Sequence, residues 1–174
     1  MNYKFHRLKV LVVDDNQHMR TLVSAVLQAF GVSKVHEARS GEEGWNILLK
    51  NPCDIIFVDL LMTGMTGLDF AQKIRTAPDS TNPFVPIIML TGHTSVERVN
   101  AARDAGVNEF LAKPVSSKTI LNRLVSVIEH PRPFVRTRSY FGPCRRRREI
   151  AYHGPERRDS AAGPALTHTP ANAA

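Results

Sequence analysis

Leu8-Lys9-Val10-Leu11-Val12-Val13-Asp14-Asp15 and Asp54-Ile55-Ile56-Phe57-Val58-Asp59 are two short hydrophobic runs that end in carboxylates. Two more runs end in other polar groups. Pro86-Ile87-Ile88-Met89-Leu90 leads into Thr91, and Asn108-Glu109-Phe110-Leu111-Ala112 leads into Lys113-Pro114. A further run, Val32 to Ala38, has no such ending. Short segments rich in Val, Ile and Phe predict strands buried on both faces.

Amphipathic stretches separate these runs. Met19, Leu22, Val23, Val26, Leu27 and Phe30 recur at helical spacing, and Gly31 supplies a stop. Ser40-Gly41-Glu42-Glu43 and Thr94-Ser95-Val96-Glu97 have the capping-box pattern. The first predicts a helix to Lys50, the second a helix closing near Gly106. Further helices are expected from Thr66 to Thr76 and from Ser117 to Glu129, with Pro131 beyond the last. The sum is an α/β chain of type (βα)5. Such alternation predicts a doubly wound, five-stranded parallel sheet with helices on both faces. Ligands bind these sheets outside the carboxyl ends of the strands, where the acidic, hydroxyl and ammonium groups fall.

The chain has 174 residues, 43% of them hydrophobic, enough for one domain of average size with an appendage. No apolar run approaches the length of a transmembrane helix. The polar start, Met1 to Arg7, reads as no signal peptide. Cys53 and Cys144 are too few for a disulfide framework, so a reducing cytoplasm is the expected setting. The net charge of +7 is unevenly distributed. Residues 1–130 hold 14 basic and 13 acidic side chains, whereas residues 131–174 hold nine arginines and three acids. Basicity therefore belongs to the tail, and any inference toward polyanions concerns the tail alone.

A carboxylate can take a phosphoryl group as a nucleophile, giving an acyl phosphate. The charge on the transferring group must then be neutralised and its oxygens held. Mg2+ does this through hard oxygen ligands, commonly one or two carboxylates. Asp15 and Asp59 are placed to bind such an ion, and Asp14 can join them or hold a metal-bound water. Lys113 can reach a phosphoryl oxygen as a point charge, and the Thr91 hydroxyl can hydrogen-bond another. Each residue alone has a blander reading: a helix N-terminus for Asp14-Asp15, a turn for Thr91, core for Phe110, a solvated charge for Lys113. Their joint occurrence at strand ends favours the phosphoryl site.

These residues carry a family resemblance. Over about residues 6–130 the chain resembles the CheY-like receiver domain of bacterial two-component response regulators. The resemblance rests on Val12-Val13-Asp14-Asp15-Asn16, on Val58-Asp59 followed by Met62 and Gly67, on Leu90-Thr91-Gly92 and on Lys113-Pro114. It implies the flavodoxin-like strand order 2-1-3-4-5. It also implies that Asp59 is the phosphoacceptor, charged by a histidine kinase or a histidine phosphotransfer protein. Asp14 and Asp15 then form the Mg2+ pair, Thr91 and Lys113 contact the phosphate, Phe110 is the aromatic switch with Thr91, and the Lys113-Pro114 bond is cis. Two features depart from the family. Met62-Thr63-Gly64 stands where Met-Pro is usual, and the switch residue is Phe rather than Tyr. Leu61 and His93 flank the line of water attack on the phosphoryl group, and Leu61 is expected to hinder that water.

Residues 131–174 are rich in Arg, Pro, Gly, Ala and Thr and read as mostly disordered. They contain two copies of Tyr-x-Gly-Pro-x-Arg-Arg, from Tyr140 to Arg146 and from Tyr152 to Arg158. Tyr140, Arg145, Arg146, Tyr152, Arg157 and Arg158 are candidate partner-binding residues. The expectation is a stand-alone receiver, not an enzyme beyond its own phosphorylation and dephosphorylation. Its output would be a phosphorylation-dependent contact with an unidentified downstream protein, on the surface from Val96 to Arg103 and from Asn108 to Lys118. A phosphate sink or shuttle without a target is one alternative. A nucleic-acid-binding regulator acting through the tail is another, less favoured because the Gly-Pro steps break any continuous helix.

Overall fold

A computed structural model describes residues 5–92 and 95–145. A short 3-10 turn, Phe5–Arg7, drops Phe5 into the core ahead of β1 (Lys9–Val13). There follow α1 (Gln17–Ala29), β2 (Lys34–Ala38), α2 (Gly41–Lys50), β3 (Ile55–Asp59), α3 (Gly67–Thr76), β4 (Ile87–Thr91), α4 (Val96–Asp104), β5 (Glu109–Ala112) and α5 (Ser117–Glu129). The five strands pair in parallel in the order β2-β1-β3-β4-β5. The expected α/β architecture and strand order are therefore those observed. The winding reverses between β1 and β3, so the loops leaving these adjacent strands diverge and open a crevice at the carboxyl edge.

Alternate residues of each central strand face opposite layers. Val10, Val12, Phe57, Ile88 and Leu90 pack on α1 and α5 through Val23, Leu27, Ile120 and Leu124. Leu11, Val13, Ile56, Val58 and Met89 pack on the other layer through Trp45, Phe70, Ile74 and Ala102. With both faces covered, β3 and β4 are buried at every position. That accounts for their unbroken apolar sequence. β2 lies at an edge, and its run is correspondingly polar.

Side chains set most helix ends. Asn16 accepts from the amides of His18 and Met19 at 2.9 and 3.3 Å, and Gly31 leaves α1 with φ +92°. Ser40 caps Glu43, but the Glu43 carboxylate takes the amide of Arg39 rather than that of Ser40, so the expected box closes one residue early. Thr66 and Asp69 form a full capping box at α3, and Ser116 and Thr119 another at α5. The box expected at Thr94 falls on a residue outside the described ones. α4 starts from Ser95, which makes no side-chain cap.

The largest departure from expectation is the segment 131–145. It is not a disordered tail but an antiparallel hairpin, β6 (Phe134–Arg136) against β7 (Phe141–Pro143). The hairpin sits at the amino ends of β4 and β5. Phe134 and Phe141 enclose Phe84 with edge-on ring contacts, centroids 5.2 and 5.3 Å apart. Gly142 lies so close to Gly106 that a Cβ would stand 2.9 Å from its Cα. Arg132 donates to the carbonyls of Asn108 and Cys144. Low aliphatic content argues for disorder only when a segment must supply its own core; here the α/β domain supplies the partners. Arg146 and the whole second repeat, with Tyr152, Arg157 and Arg158, lie outside the described residues.

Candidate functional site

The strand register brings the polar endings level. Val13 pairs with Val58, Asp59 with Leu90, and Thr91 with Ala112. Asp14 and Asp15 follow β1, Asp59 ends β3, Thr91 ends β4 and Lys113 follows β5. The Asp14 amide continues the ladder to the carbonyl of Ala38 at 3.1 Å, and its Oδ1 accepts from the Asn16 amide at 2.9 Å. The Asp14 side chain is wholly buried, Asp59 nearly so, and Asp15 is exposed.

Lys113 Nζ lies 2.9 Å from Asp14 Oδ2 and 2.9 Å from Asp59 Oδ1. Its backbone is held as well, since the Lys113 amide donates to the Thr91 carbonyl at 2.8 Å and the Lys113-Pro114 bond is cis. Burial pushes the Asp59 carboxyl above its ordinary range, with Asp14 and Asp15 adding to the rise and the Lys113 hydrogen bond opposing it. For Lys113, burial works to lower the pKa, but hydrogen bonds and charges from Asp59 and Asp14 outweigh it and raise it.

One oxygen from each of Asp14, Asp15 and Asp59 lies within 4.8 Å of the others. Three carboxylates facing one ammonium leave an excess of negative charge. The donors are hard oxygens, one of them open to solvent. That set suits a divalent cation of the Mg2+ type, which keeps several waters. Thr91 is buried at the rim. Phe110 is half-buried on β5, paired with Met89 and packed against the layer that holds Phe70 and Ala102.

Three further residues shape the site and were not among the sequence candidates for it. Arg20 on α1 donates to the carbonyls of Asp14 and Asp15 at 2.7 and 3.3 Å and reaches Glu37 at 3.7 Å. Thr63 points its amide and hydroxyl at Asp15 Oδ2, each at 3.4 Å. At Gly67 a Cβ would stand 2.2 Å from the carbonyl oxygen of Asp59, so only glycine lets α3 begin this close to β3. Gly67 was legible only as part of the family pattern and Thr63 as a departure from it; nothing in the sequence singles out Arg20.

The described tail candidates, Tyr140 and Arg145, do not join this site but sit at the other end of the sheet. The Tyr140 hydroxyl donates to the Pro143 carbonyl at 2.7 Å, and Arg145 stacks on the Tyr140 ring at 4.2 Å while pairing with Asp104 at 3.1 Å. Among the described residues no helix is long and apolar enough to cross a membrane.

Comparison with known proteins converges on one description. The response regulator receiver domain matches residues 10–125. Chemotaxis protein CheY-3 of Vibrio cholerae is 32% identical over 122 residues, covering 70% of this chain and 92% of that protein. Chemotaxis protein CheY1 of Helicobacter pylori is 35% identical over 122 residues, covering 70% and 97%. Among solved structures, CheY4 of Vibrio cholerae superposes with a TM-score of 0.64 at 36% identity, over 69% of this chain and 98% of that one. The receiver domain of the histidine kinase CKI1 from Arabidopsis thaliana, complexed with Mg2+ and BeF3-, gives 0.62 at 29% identity, over 70% and 91%.

Proposed function

This chain belongs to the response regulator receiver family, and on that premise we propose that Asp59 is its phosphoacceptor in a two-component phosphorelay. The observation that carries the assignment is the Lys113 ammonium, 2.9 Å from both Asp14 and Asp59, within a cluster of three carboxylates. The donor is a phosphohistidine on a histidine kinase or a histidine phosphotransfer protein. Asp59 Oδ attacks phosphorus, a P–O bond forms, the P–N bond breaks, and the electron pair returns to the donor imidazole. Asp14, Asp15 and Asp59 hold Mg2+, which when bound neutralises the charge on the transferring group. Lys113 exchanges part of its hold on Asp59 for a phosphoryl oxygen. The Thr91 hydroxyl donates to another oxygen, and Phe110 follows Thr91 inward.

The output is a phosphorylation-dependent protein contact on the surface of α4, β5 and α5. Among the described residues of α4 only Ala102 is buried, and Val96 is 75% exposed, so this helix has surface to offer. Asp104 pairs with Arg145, which places the first repeat beside the same helix. That arrangement gives the tail a part in tethering or framing the contact, in preference to an independent nucleic-acid site.

The test is mass spectrometry of the protein after incubation with acetyl phosphate and Mg2+, alongside Asp59→Asn. One phosphoryl group gained by the wild type and none by the variant supports the assignment. A gain by both moves the acceptor elsewhere. A gain by neither, repeated with a phosphohistidine donor, overturns it.

A further inference from the structure

Arg20 stands where simple electrostatics disfavours a positive charge. It lies near the amino end of α1, where the helix dipole opposes a cation. It also lies beside the carboxylate cluster, where a fixed positive charge repels an arriving divalent ion. Its contacts show what holds it there. Nη1 donates to the carbonyl oxygens of Asp14 and Asp15 at 2.7 and 3.3 Å, and Nε lies 3.7 Å from Glu37 Oε2 on β2. Arg20 thus grips the main chain of the two acids and takes its carboxylate partner from the neighbouring strand. The carboxylates of Asp14 and Asp15 are left to the crevice, each with an oxygen within 4.8 Å of one on Asp59. Asp14 has further fixings: its amide continues the ladder to Ala38, and its carboxylate takes the Asn16 amide and Lys113. Asp15 is exposed and lies past the last paired residue of β1, so the grip of Arg20 on its carbonyl matters most there. The Arg20 side chain is only 15% exposed, so its fork is itself held in place.

We propose that Arg20 is a positioning residue for the divalent cation: it fixes the main chain of Asp14 and Asp15 so that both carboxylates face Asp59 before the ion arrives. Glu37 holds the guanidinium in the required place. The proposal rests on the receiver reading of the site. Its consequence has a sign that charge alone does not give. Removing a positive charge from beside a metal site tightens metal binding, whereas removing the group that orients two of the ligands loosens it.

The experiment is a Mg2+ titration of the full-length protein by calorimetry, for the wild type, Arg20→Met and Arg20→Lys, with thermal melts as the check on folding. Arg20→Met keeps an apolar stem and removes both charge and donors. Arg20→Lys keeps the charge and loses the planar fork. Arg20→Met is expected to bind Mg2+ about tenfold more weakly, the lower end of the loss for groups that orient metal ligands, and Arg20→Lys to fall between it and the wild type. Equal or tighter Mg2+ binding by a folded Arg20→Met, with wild-type binding intact, overturns the positioning role and leaves the receiver reading standing. Should Arg20→Met not fold, Arg20→Lys decides in its place: weaker binding at the same charge supports the role, and unchanged binding overturns it. Failure of the wild type itself to bind Mg2+ overturns the proposal together with the metal reading on which it rests.

Discussion

Gly67 shows how much a single atom matters beside Asp59. A methyl group there would overlap the Asp59 carbonyl at 2.2 Å, and the clash is with backbone, which has no rotamer to yield. Gly67→Ala is expected to destabilise the fold by about 1–3 kcal/mol, the usual cost of overpacking, and to slow phosphate uptake by displacing β3 from α3. Chemical denaturation and acetyl phosphate kinetics read the two effects separately. Asp59 itself predicts a pH dependence. Its pKa is raised by burial, so it stays protonated at pH values where an ordinary aspartate is already ionised. Only the carboxylate is nucleophilic, so phosphate uptake falls as pH drops through this raised value. The linkage to stability has the opposite sign. The native state holds this proton more tightly than the unfolded chain does, so ionising Asp59 costs stability as pH rises from the ordinary carboxylate range through the raised value. Without cation, Asp59→Asn should melt above the wild type at neutral pH, and the gap should close on acidification. Leu61, 51% exposed two residues after the proposed acceptor, is expected to shield the phosphorylated state from water. Leu61→Asn should shorten its half-life, and an unchanged half-life would leave Leu61 without this role.

At the scale of elements, the hairpin of β6 and β7 is the informative piece. Its cohesion comes from the ring cluster of Phe84, Phe134 and Phe141 and from Arg75, whose guanidinium lies 5.0 Å from the Phe134 ring while donating to the carbonyls of Pro83 and Gly106 and to Asn108 Oδ1. Asn108 also accepts from the Ile87 amide, so the ends of β4, β5 and the hairpin share one hydrogen-bonded knot. Phe141 is half-buried, and Phe141→Ala is expected to cost about 1.5–2.5 kcal/mol, roughly half the loss for a fully buried ring. A thermal melt should show it as a drop of several degrees. Hydrogen exchange should place the loosening at residues 134–143 rather than at Asp59. α4 is the contrasting element, with one buried side chain and no side-chain cap from Ser95.

At the scale of the molecule, the chain has two ends of one sheet with different tasks. The carboxyl end gathers the carboxylates and Lys113; the amino end of β4 and β5 receives the hairpin. Removing residues 131–174 would uncover Phe84 and leave the buried Arg75 facing solvent on one side, so the truncated chain should melt at lower temperature. The acidic cluster takes no side chain from that segment among the described residues, so phosphate uptake by the truncated chain, measured where it is still folded, should match the full chain. Much of this was legible in sequence. Buried parallel strands are continuously apolar and ligands bind such sheets at the carboxyl edge, so a polar residue that closes an apolar run there is a candidate ligand. Asp14, Asp15, Asp59, Thr91 and Lys113 could therefore be located by where each run ends. Position along the chain says nothing about which side chains meet across a gap. The double hold of Lys113 on Asp14 and Asp59, the reach of Thr63 to Asp15 and the support from Arg20 exist only because parallel pairing sets strands from distant segments side by side. The hairpin is the same lesson in reverse. Taken alone its sequence lacks a core, and only the packed domain, with Phe84, Arg75 and Gly106 already in place, supplies the surface that orders it.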